Sequence, residues 1–376
     1  MFELIESKKN RSGIIKTKNG EIFTPFFMPD ATRGFVKSLS SEDLKKIGIA
    51  PMVVNTYHLY LQPGMELIKK AHGIHKFMHW DAPLLSDSGG YQIFSLIHKN
   101  SQNGKITDEK AIFKSPLDGS THEITPEKSI QIQFDLGVDM MVVLDDVPPN
   151  NYSKEKIKEA VERTIKWAKR CKAEYEKQLK KRKISEDNRP LIFGVIQGGV
   201  HSDLRKYCAE ELIKIGFDGY GFGARHIDAE GNFMEDAVRE TADLIPENSL
   251  RFALGVGTPE DIVKFVNLGW DIFDCVIPTR EGRHGRLFLW NPRAELSDFK
   301  ELGSRKPFYE TININNEKFK DDFAPVDPYC DCELCQNHTR AYLKHLFASK
   351  DLLAMRLASM HNLKFYMELM EKLRKV

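Results

Sequence analysis

Residues 252–280 read FALGVGTPEDIVKFVNLGWDIFDCVIPTR, and this stretch holds one complete structural repeat. An apolar run passes into the helix-start signals of TPED. The helical pattern stops at Gly269, and a second apolar run follows. Near-continuous apolar strands joined through a helix describe a parallel sheet covered by helices. The same kind of strand recurs outward along the chain. FTPFFMPDATRG, PMVVNTY, PLLSDSGG, MMVVLDDVPP, LIFGVIQGG and GYGFGARH bring the number to eight. Helical patterns lie between most of them. SSEDLKKIG offers Ser40 and Ser41 as caps, TPEKSIQIQFDLG has Pro in its first turn, and a long helix runs from Ser153 to Lys183. Gly48, Gly137 and Gly216 supply further stops. Eight units in this length predict an α/β chain closed as a (β/α)₈ TIM barrel.

Residues 1–23 read as a small antiparallel sheet, with an Asn-Gly turn in TKNGE. The catalytic barrel with this piece is expected to occupy 1–320. Residues 321–376 are expected to form a C-terminal zinc-binding subdomain with a closing helix. The segment 291–329 is mixed and polar, with at most one short strand around TININNEKFKDDFAP.

The chain has 376 residues, 41% apolar composition and a formal charge of +1. That balance excludes a general nucleic-acid coat protein and requires any polyanion to meet a local patch. The N-terminus lacks an apolar secretion segment, and no run approaches the roughly 18 apolar residues of a membrane span. A cytoplasmic protein with no membrane partner is therefore expected. Three of six cysteines are scattered at 171, 208 and 275 and three crowd at 330, 332 and 335, a distribution that suits a metal site better than a disulfide framework.

In a barrel of this type, chemistry collects where strands end. Here the ends carry Asn55, Asp87, Asp145 with Asp146, Gln197 and Asp274. Any one of these could be a solubilising loop residue. Five strand ends of one polar kind are better explained by a shared pocket. Asp274 interrupts the apolar run Ile272-Phe273-Asp-Cys275-Val276-Ile277, where desolvating a carboxylate without a partner is costly. Asp87 precedes Gly89 and Gly90, which let a flat ligand approach the backbone, and Tyr91, which offers an aromatic face. An Asp at such a junction also caps turns, so Asp87 gains its chemical reading from Asp274. Two carboxylates facing one cavity suit substitution at an anomeric carbon: one attacks, the other moves a proton, and configuration is retained. Arg280, Arg283, His284 and Arg286, spaced by Gly282 and Gly285, form a basic ridge beyond Asp274. A solvated loop would look similar, but beside such a pair the ridge points to a sugar within a nucleic-acid strand.

CDCELC places Cys330, Cys332 and Cys335 in one tight loop. A tetrahedral zinc needs a fourth ligand, and His338, His345 and His361 all follow. Three thiolates and one imidazole would leave no position for water, which makes the predicted Zn²⁺ structural.

With these residues in view, SDSGGYQIFSL, GVIQGG, FDGYGFG, LGVGTPEDIV, FDCVIPTREGR, CDCELCQ and the C-terminal RAYLKHLF and MHNLKFY together resemble the tRNA-guanine transglycosylases over essentially the whole chain. The resemblance implies a (β/α)₈ barrel with a zinc subdomain, commonly a homodimer. It implies exchange of the wobble guanine of GUN anticodons, in tRNAs for Asp, Asn, His and Tyr, for a free 7-deazaguanine base in queuosine formation. Asp274 matches the nucleophile toward ribose C1′ and Asp87 the general acid/base. Ser88, Gly89, Gly90, Tyr91, Asp145, Gln197, Gly223, Ala224 and Leu254 match the base site, with Tyr91 stacking on the base. Gly255, Val256, Gly257, Thr258, Pro259, Glu260 and Asp261, with Thr279, Arg280, Glu281, Gly282 and Arg283, match tRNA-contacting segments. The zinc ligands become Cys330, Cys332, Cys335 and His361. The target base must leave its stack to reach such a pocket, as RNA loops permit.

Several positions depart from the bacterial pattern. LDDVPP places Asp146-Val147 where an acid and a cysteine are usual, closer to the eukaryotic enzyme. Ala224, Arg225 and His226 of GARHIDAEG replace Gly, Leu and Ala; Leu254 replaces a methionine; and the glutamate associated with the aminomethyl substituent has no clear counterpart. These changes point to queuine as the incoming base, with 7-aminomethyl-7-deazaguanine as the alternative. A run around 291–310 is extra relative to the bacterial pattern. Rival readings have weaker support. An archaeosine-type enzyme would carry further RNA-binding domains, a non-catalytic accessory subunit would lack the nucleophile, and a glycoside hydrolase has no use for the arginine ridge.

Overall fold

A computed structural model describes residues 1–6, 11–149, 151–228, 230–292 and 307–375. Most of the extra 291–310 run thus lies outside the described residues. Strands β1 (Phe2–Glu6), β2 (Ser12–Thr17) and β3 (Gly20–Thr24) form the predicted antiparallel sheet. The eight apolar runs become β4 (Phe26–Pro29), β5 (Met52–Asn55), β6 (Leu84–Asp87), β10 (Met140–Val142), β11 (Leu191–Ile196), β12 (Gly219–Phe222), β13 (Leu250–Ala253) and β14 (Ile272–Cys275). They pair in parallel in the order β4-β14-β13-β12-β11-β10-β6-β5. The ring closes through a parallel bridge between Asp30 and Val53, with Ala31 N donating to Val53 O at 2.8 Å. Three short strands not anticipated above, β7 (Gly104–Ile106), β8 (Ala111–Lys114) and β9 (Thr121–Ile124), make a separate antiparallel sheet. The one short strand expected near TININNEKFKDDFAP is β16 (Tyr309–Asn313), which pairs antiparallel with β15 (Arg286–Trp290).

The helices are α1 (Ser41–Lys46), α2 (Thr56–Leu59), α3 (Met65–Lys70), α4 (Ile74–Met78), α5 (Gly90–Lys99), α6 (Pro126–Leu136), α7 (Lys154–Arg182), α8 (Ser202–Ile215), α9 (Glu235–Leu244), α10 (Pro259–Asn267), α11 (Ile277–Arg283), α12 (Glu333–Asn337), α13 (Arg340–Ala348) and α14 (Leu352–Arg374). Their starts follow the sequence signals. Ser40 and Asp43 make a reciprocal capping box on α1, and Thr125, Ser153 and Thr258 cap α6, α7 and α10. Each cap pairs one otherwise orphaned amide. The long α7 buries Ile157, Val161, Ile165, Trp167 and Ala168 against the barrel.

Two apolar layers result. Phe26, Met28, Val53, Leu85, Val142, Phe193, Val195, Phe252 and Ile272 fill the barrel interior, with Ile15 and Ile22 of the N-terminal sheet plugging one end. The alternate residues pack outward against the helices. Arg11 ties the N-terminal sheet to the barrel through Asp271, at 2.8 Å from Nε and with both side chains buried. At the C-terminus, Leu287 and Leu289 of β15 pack with the cysteine loop and with Leu357 and Ala358 of α14. Among the described residues no helix is long and apolar enough to cross a membrane.

Candidate active site

Side chains alternate along a strand, so the position two beyond the last inward residue also points inward. From Met28, Val53, Leu85, Val195, Phe252 and Ile272, this step reaches Asp30, Asn55, Asp87, Gln197, Leu254 and Asp274. One rim therefore gathers three carboxylates and two amides. Asp30 was missing from the sequence-derived set, although the two-residue period in FMPD points to it. β10 breaks the rule, since its regular pairing ends at Val142. Asp145 then turns inward to meet Gln197, while Asp146 faces α7 and pairs with Arg163. Only the first of the two acids belongs to the pocket.

The rim is held by hydrogen bonds. Asn55 Nδ2 donates to Asp87 Oδ2 at 2.7 Å and to Gln92 Oε1 at 3.0 Å. The Asn55 Oδ1 accepts from His58 N at 3.2 Å and caps α2. The Gly255 amide donates to Asp274 Oδ1 at 2.8 Å. Burial raises the Asp274 carboxyl to about 7; the Gly255 amide opposes this, and the charges of Asp87 and Asp30 add to it. Burial raises Asp87 to about 6, against the pull of the Gly89 and Ser88 amides and of Asn55. Asp145 rises to about 7 through burial and the nearby charges of Asp87 and Asp146, with Gln197 opposing. All three shifts bring these carboxyls toward neutrality, where proton transfer is most effective.

Gly90 and Gly223 lie close against the Asp145–Gln197 pair. A Cβ on Gly90 would lie 3.0 Å from Asp145 Oδ1, and one on Gly223 would lie 2.6 Å from the Gln197 amide. Gln197 Nε2 donates to Asp145 Oδ2 at 2.7 Å, whereas its Oε1 is buried without a partner. Ser88 is buried and accepts from Gly90 N at 3.2 Å; Tyr91 is 58% exposed at the mouth. Ala224 keeps a glycine-like φ of 70°, a left-handed conformation costing about 1–2 kcal/mol for a residue with Cβ. Two residues on, His226 Nε2 lies 3.2 Å from Asp261 Oδ2, tying this loop to α10. A neighbouring cleft of about 260 Å³ is lined by Arg33, Tyr57, His58, Tyr91, Gln92 and Leu117.

The expected RNA-facing segments divide by burial. Val256, Gly257, Pro259, Thr279 and Gly282 are buried and shape their segments from beneath, whereas Gly255, Glu260 and Arg280 are exposed. Thr258 caps α10, and Asp261 engages His226 and Lys264. Residues 277–283 form α11, not the extended run and loop read from FDCVIPTREGR. The glycines of the ridge serve packing and turning. Gly282 lets α11 lie against α14, since a Cβ would be 2.9 Å from the Ala358 backbone, and Gly285 turns the chain into β15 with φ 81°. The basic ridge is also less positive than its sequence, because Glu281 sits 3.6 Å from Arg280 and 3.9 Å from Arg286. Arg283 is half-buried, with Nη1 unpaired.

Cys330, Cys332, Cys335 and His361 are all buried, with their ligand atoms within 4.8 Å of one another. His361 Nδ1 lies 3.6 Å from Cys332 Sγ and 3.3 Å from Cys335 Sγ. Ligands around a tetrahedral zinc sit about 3.6–3.8 Å apart, so these residues fit that ion. The other ring nitrogen, Nε2, donates to Phe288 O at 2.8 Å and presents Nδ1 to the cluster, a common arrangement behind a metal-bound imidazole. His338 instead stacks on Tyr342 at 4.9 Å.

Comparison with known proteins agrees with this architecture. A family model described as queuine tRNA-ribosyltransferase matches residues 6–376. A protein of that name from Halothermothrix orenii is 43% identical over 376 residues, covering 99% of this chain and 92% of its own length. One from Thermodesulfovibrio yellowstonii is 44% identical over 364 residues, covering 97% and 87%. Another, from Lysinibacillus sphaericus, is 39% identical over 376 residues, with 99% and 91% covered.

Proposed function

Because the chain belongs to the queuine tRNA-ribosyltransferase family, and so to the pentosyltransferases, we propose that it exchanges the wobble guanine of GUN-anticodon tRNAs for a free 7-deazaguanine base. The observation that carries this reading is the placement of Asp87 and Asp274 on one barrel rim, close enough for the charge of Asp87 to raise the Asp274 carboxyl.

In this reading the reaction is a retaining double displacement. The ionised Asp274 attacks ribose C1′ while the C1′–N9 bond breaks and the electron pair leaves with guanine, whose N9 takes a proton from Asp87. The incoming base gives its N9 proton back to Asp87, N9 bonds to C1′, and the Asp274 ester bond breaks. Two inversions preserve configuration. Asp87 near 6 and Asp274 near 7 lie within about one unit of each other, so the state with Asp274 ionised and Asp87 protonated is reached at small cost. Asp145 and the unpartnered Gln197 Oε1 supply acceptors for the N–H donors of a guanine edge, and Tyr91 at the mouth offers a stacking surface. Ser88, Gly89, Gly90, Gly223, Ala224 and Leu254 complete the base cavity. Residues 255–261 and 279–283 would be the RNA-facing segments, with the exposed Arg280 toward phosphate.

Cys330, Cys332, Cys335 and His361 would hold a structural Zn²⁺, which supplies folding energy to the C-terminal module. By the same resemblance the active species is a cytoplasmic homodimer, which sedimentation would test.

The loop after β12 favours queuine as the incoming base. Its Asp228 is occupied by Asn232, at 2.7 Å from the backbone N, and Asp261 by His226. The His226 and Lys264 partners of Asp261 make it the poorer acceptor for a small aminomethyl cation. Parallel exchange assays with guanine-labelled tRNA and each free base test this; faster turnover with 7-aminomethyl-7-deazaguanine would establish the alternative. Trapping a covalent RNA–protein adduct tests the reaction itself. The accessory-subunit reading predicts no adduct.

A further inference from the structure

α14 touches the cysteine cluster at one point and the support of Asp274 at another. It supplies His361 to the cluster. The neighbouring Asn362 is fully buried and grips the chain after Asp274: Nδ2 donates to Pro278 O at 3.0 Å and Arg286 O at 2.9 Å, while Oδ1 accepts from Phe288 N at 3.1 Å. One turn further, Tyr366 is also fully buried, and its hydroxyl donates to Gly257 O at 2.6 Å.

Gly257 is a tight anchor. A Cβ there would fall 2.1 Å from Cys275 Cβ and 2.6 Å from Sγ, so this segment lies flat on the residue that follows Asp274. Two residues earlier, Gly255 has φ 70° and donates its amide to Asp274 Oδ1 at 2.8 Å. The Gly257 carbonyl and the Gly255 amide lie on one short segment, separated by Val256 alone, so the hydroxyl that anchors the first lies close along the chain to the second. Burial holds the Tyr366 hydroxyl protonated well beyond its ordinary range, so it remains a donor at every working pH. Phe27 and Phe288, with ring centroids at 4.8 and 5.6 Å, fix the ring.

We propose that Tyr366 is a positioning residue for glycosyl transfer, holding the 255–257 loop so that the Gly255 amide stays on the Asp274 carboxylate. The cluster-bearing helix thus sets the ionisation of the nucleophile as well as the fold of the C-terminal module. This inference rests on Asp274 being the nucleophile.

Tyr366→Phe keeps the ring and removes only the hydroxyl. The measurements are the pH dependence of kcat/KM for guanine exchange, the yield of RNA adduct against pH, KM for tRNA, bound zinc and melting temperature. If the acid limb moves from about 7 to about 8, the ionised fraction at pH 7 falls about fivefold and recovers by pH 9. Adduct yield relative to wild type is expected to fall by the same factor at pH 7, with KM and zinc content unchanged. Leu357→Ala, beside the cysteine loop, is expected to lower the melting temperature without moving the limb. An unmoved limb in Tyr366→Phe, or an equal shift in Leu357→Ala, overturns the proposal. A wild-type protein that exchanges no guanine and traps no adduct removes the functional reading instead, and this proposal falls with it.

Discussion

Replacing Asp274 by Asn is expected to abolish exchange and, at the same time, to stabilise the free protein. The Asn side chain has the same shape, and its Oδ1 still accepts the Gly255 amide. What it lacks is a charge that the fold desolvates. Raising a carboxyl from 3.8 to about 7 destabilises the folded state by about 4 kcal/mol at pH values above both figures. Asp274 is only half-buried by surface area, and solvent screening brings this to about 2 kcal/mol. The sign follows from linkage. Below the unfolded value both states are protonated and there is no penalty. As pH rises toward the folded value, the unfolded chain ionises freely and the folded chain resists. The advantage of Asn is therefore largest at pH 8 and falls below about 1 kcal/mol at pH 5. Urea unfolding of both proteins at these two pH values measures it, and exchange activity should fall by about 10⁴-fold or more. A gain that is absent at pH 8, or equal at both pH values, would refute the desolvated-nucleophile argument. A surviving adduct would refute the chemistry.

Asn55→Ala removes the amide that donates to Asp87, so the Asp87 carboxyl should move further above 6. The alkaline limb of the guanine-release step should rise by about half to one pH unit. Arg11→Ala strands the buried Asp271 and should cost about 3–5 kcal/mol, less at pH 5 where Asp271 takes up a proton, with activity per folded molecule unchanged. The isolated protein should carry one zinc per chain by elemental analysis. His361→Ala or a strong chelator should release it, expose three reactive thiols and lower the melting temperature.

The barrel was legible because its strands are buried on both faces and therefore appear as apolar runs, and because its helices carry their own caps. Asp274 was legible for the opposite reason: a carboxylate inside such a run contradicts its surroundings and demands a use. Residues that obey their surroundings were the ones overlooked. Asp30 sits before a turn, where an Asp is ordinary, and only the inward step from Met28 puts it beside Asp274 and Asp87. Asp145 and Asp146 are indistinguishable as letters, and the chain separates them by leaving the strand period after Val142. β7 to β9 are three or four residues each, too short for alternation to register. Arg280 to Arg283 look like a loop because Gly282 breaks helical patterns. Here that glycine is present for close approach to α14, a contact about 76 residues away that local pattern cannot encode.

The same limit applies to Tyr366, which reads as one more core aromatic in an amphipathic helix. Its hydroxyl matters because it meets a carbonyl 109 residues earlier in the chain. Burying a hydroxyl is favourable only when it is paired, and phenylalanine would fill this space without that requirement. A tyrosine retained at the centre of an apolar cluster, with its one polar atom on the loop that supports the nucleophile, thus has the same logic as Asp274 itself. In each case a polar group stands where packing alone favours an apolar one, and in each case its partner lies at the barrel mouth.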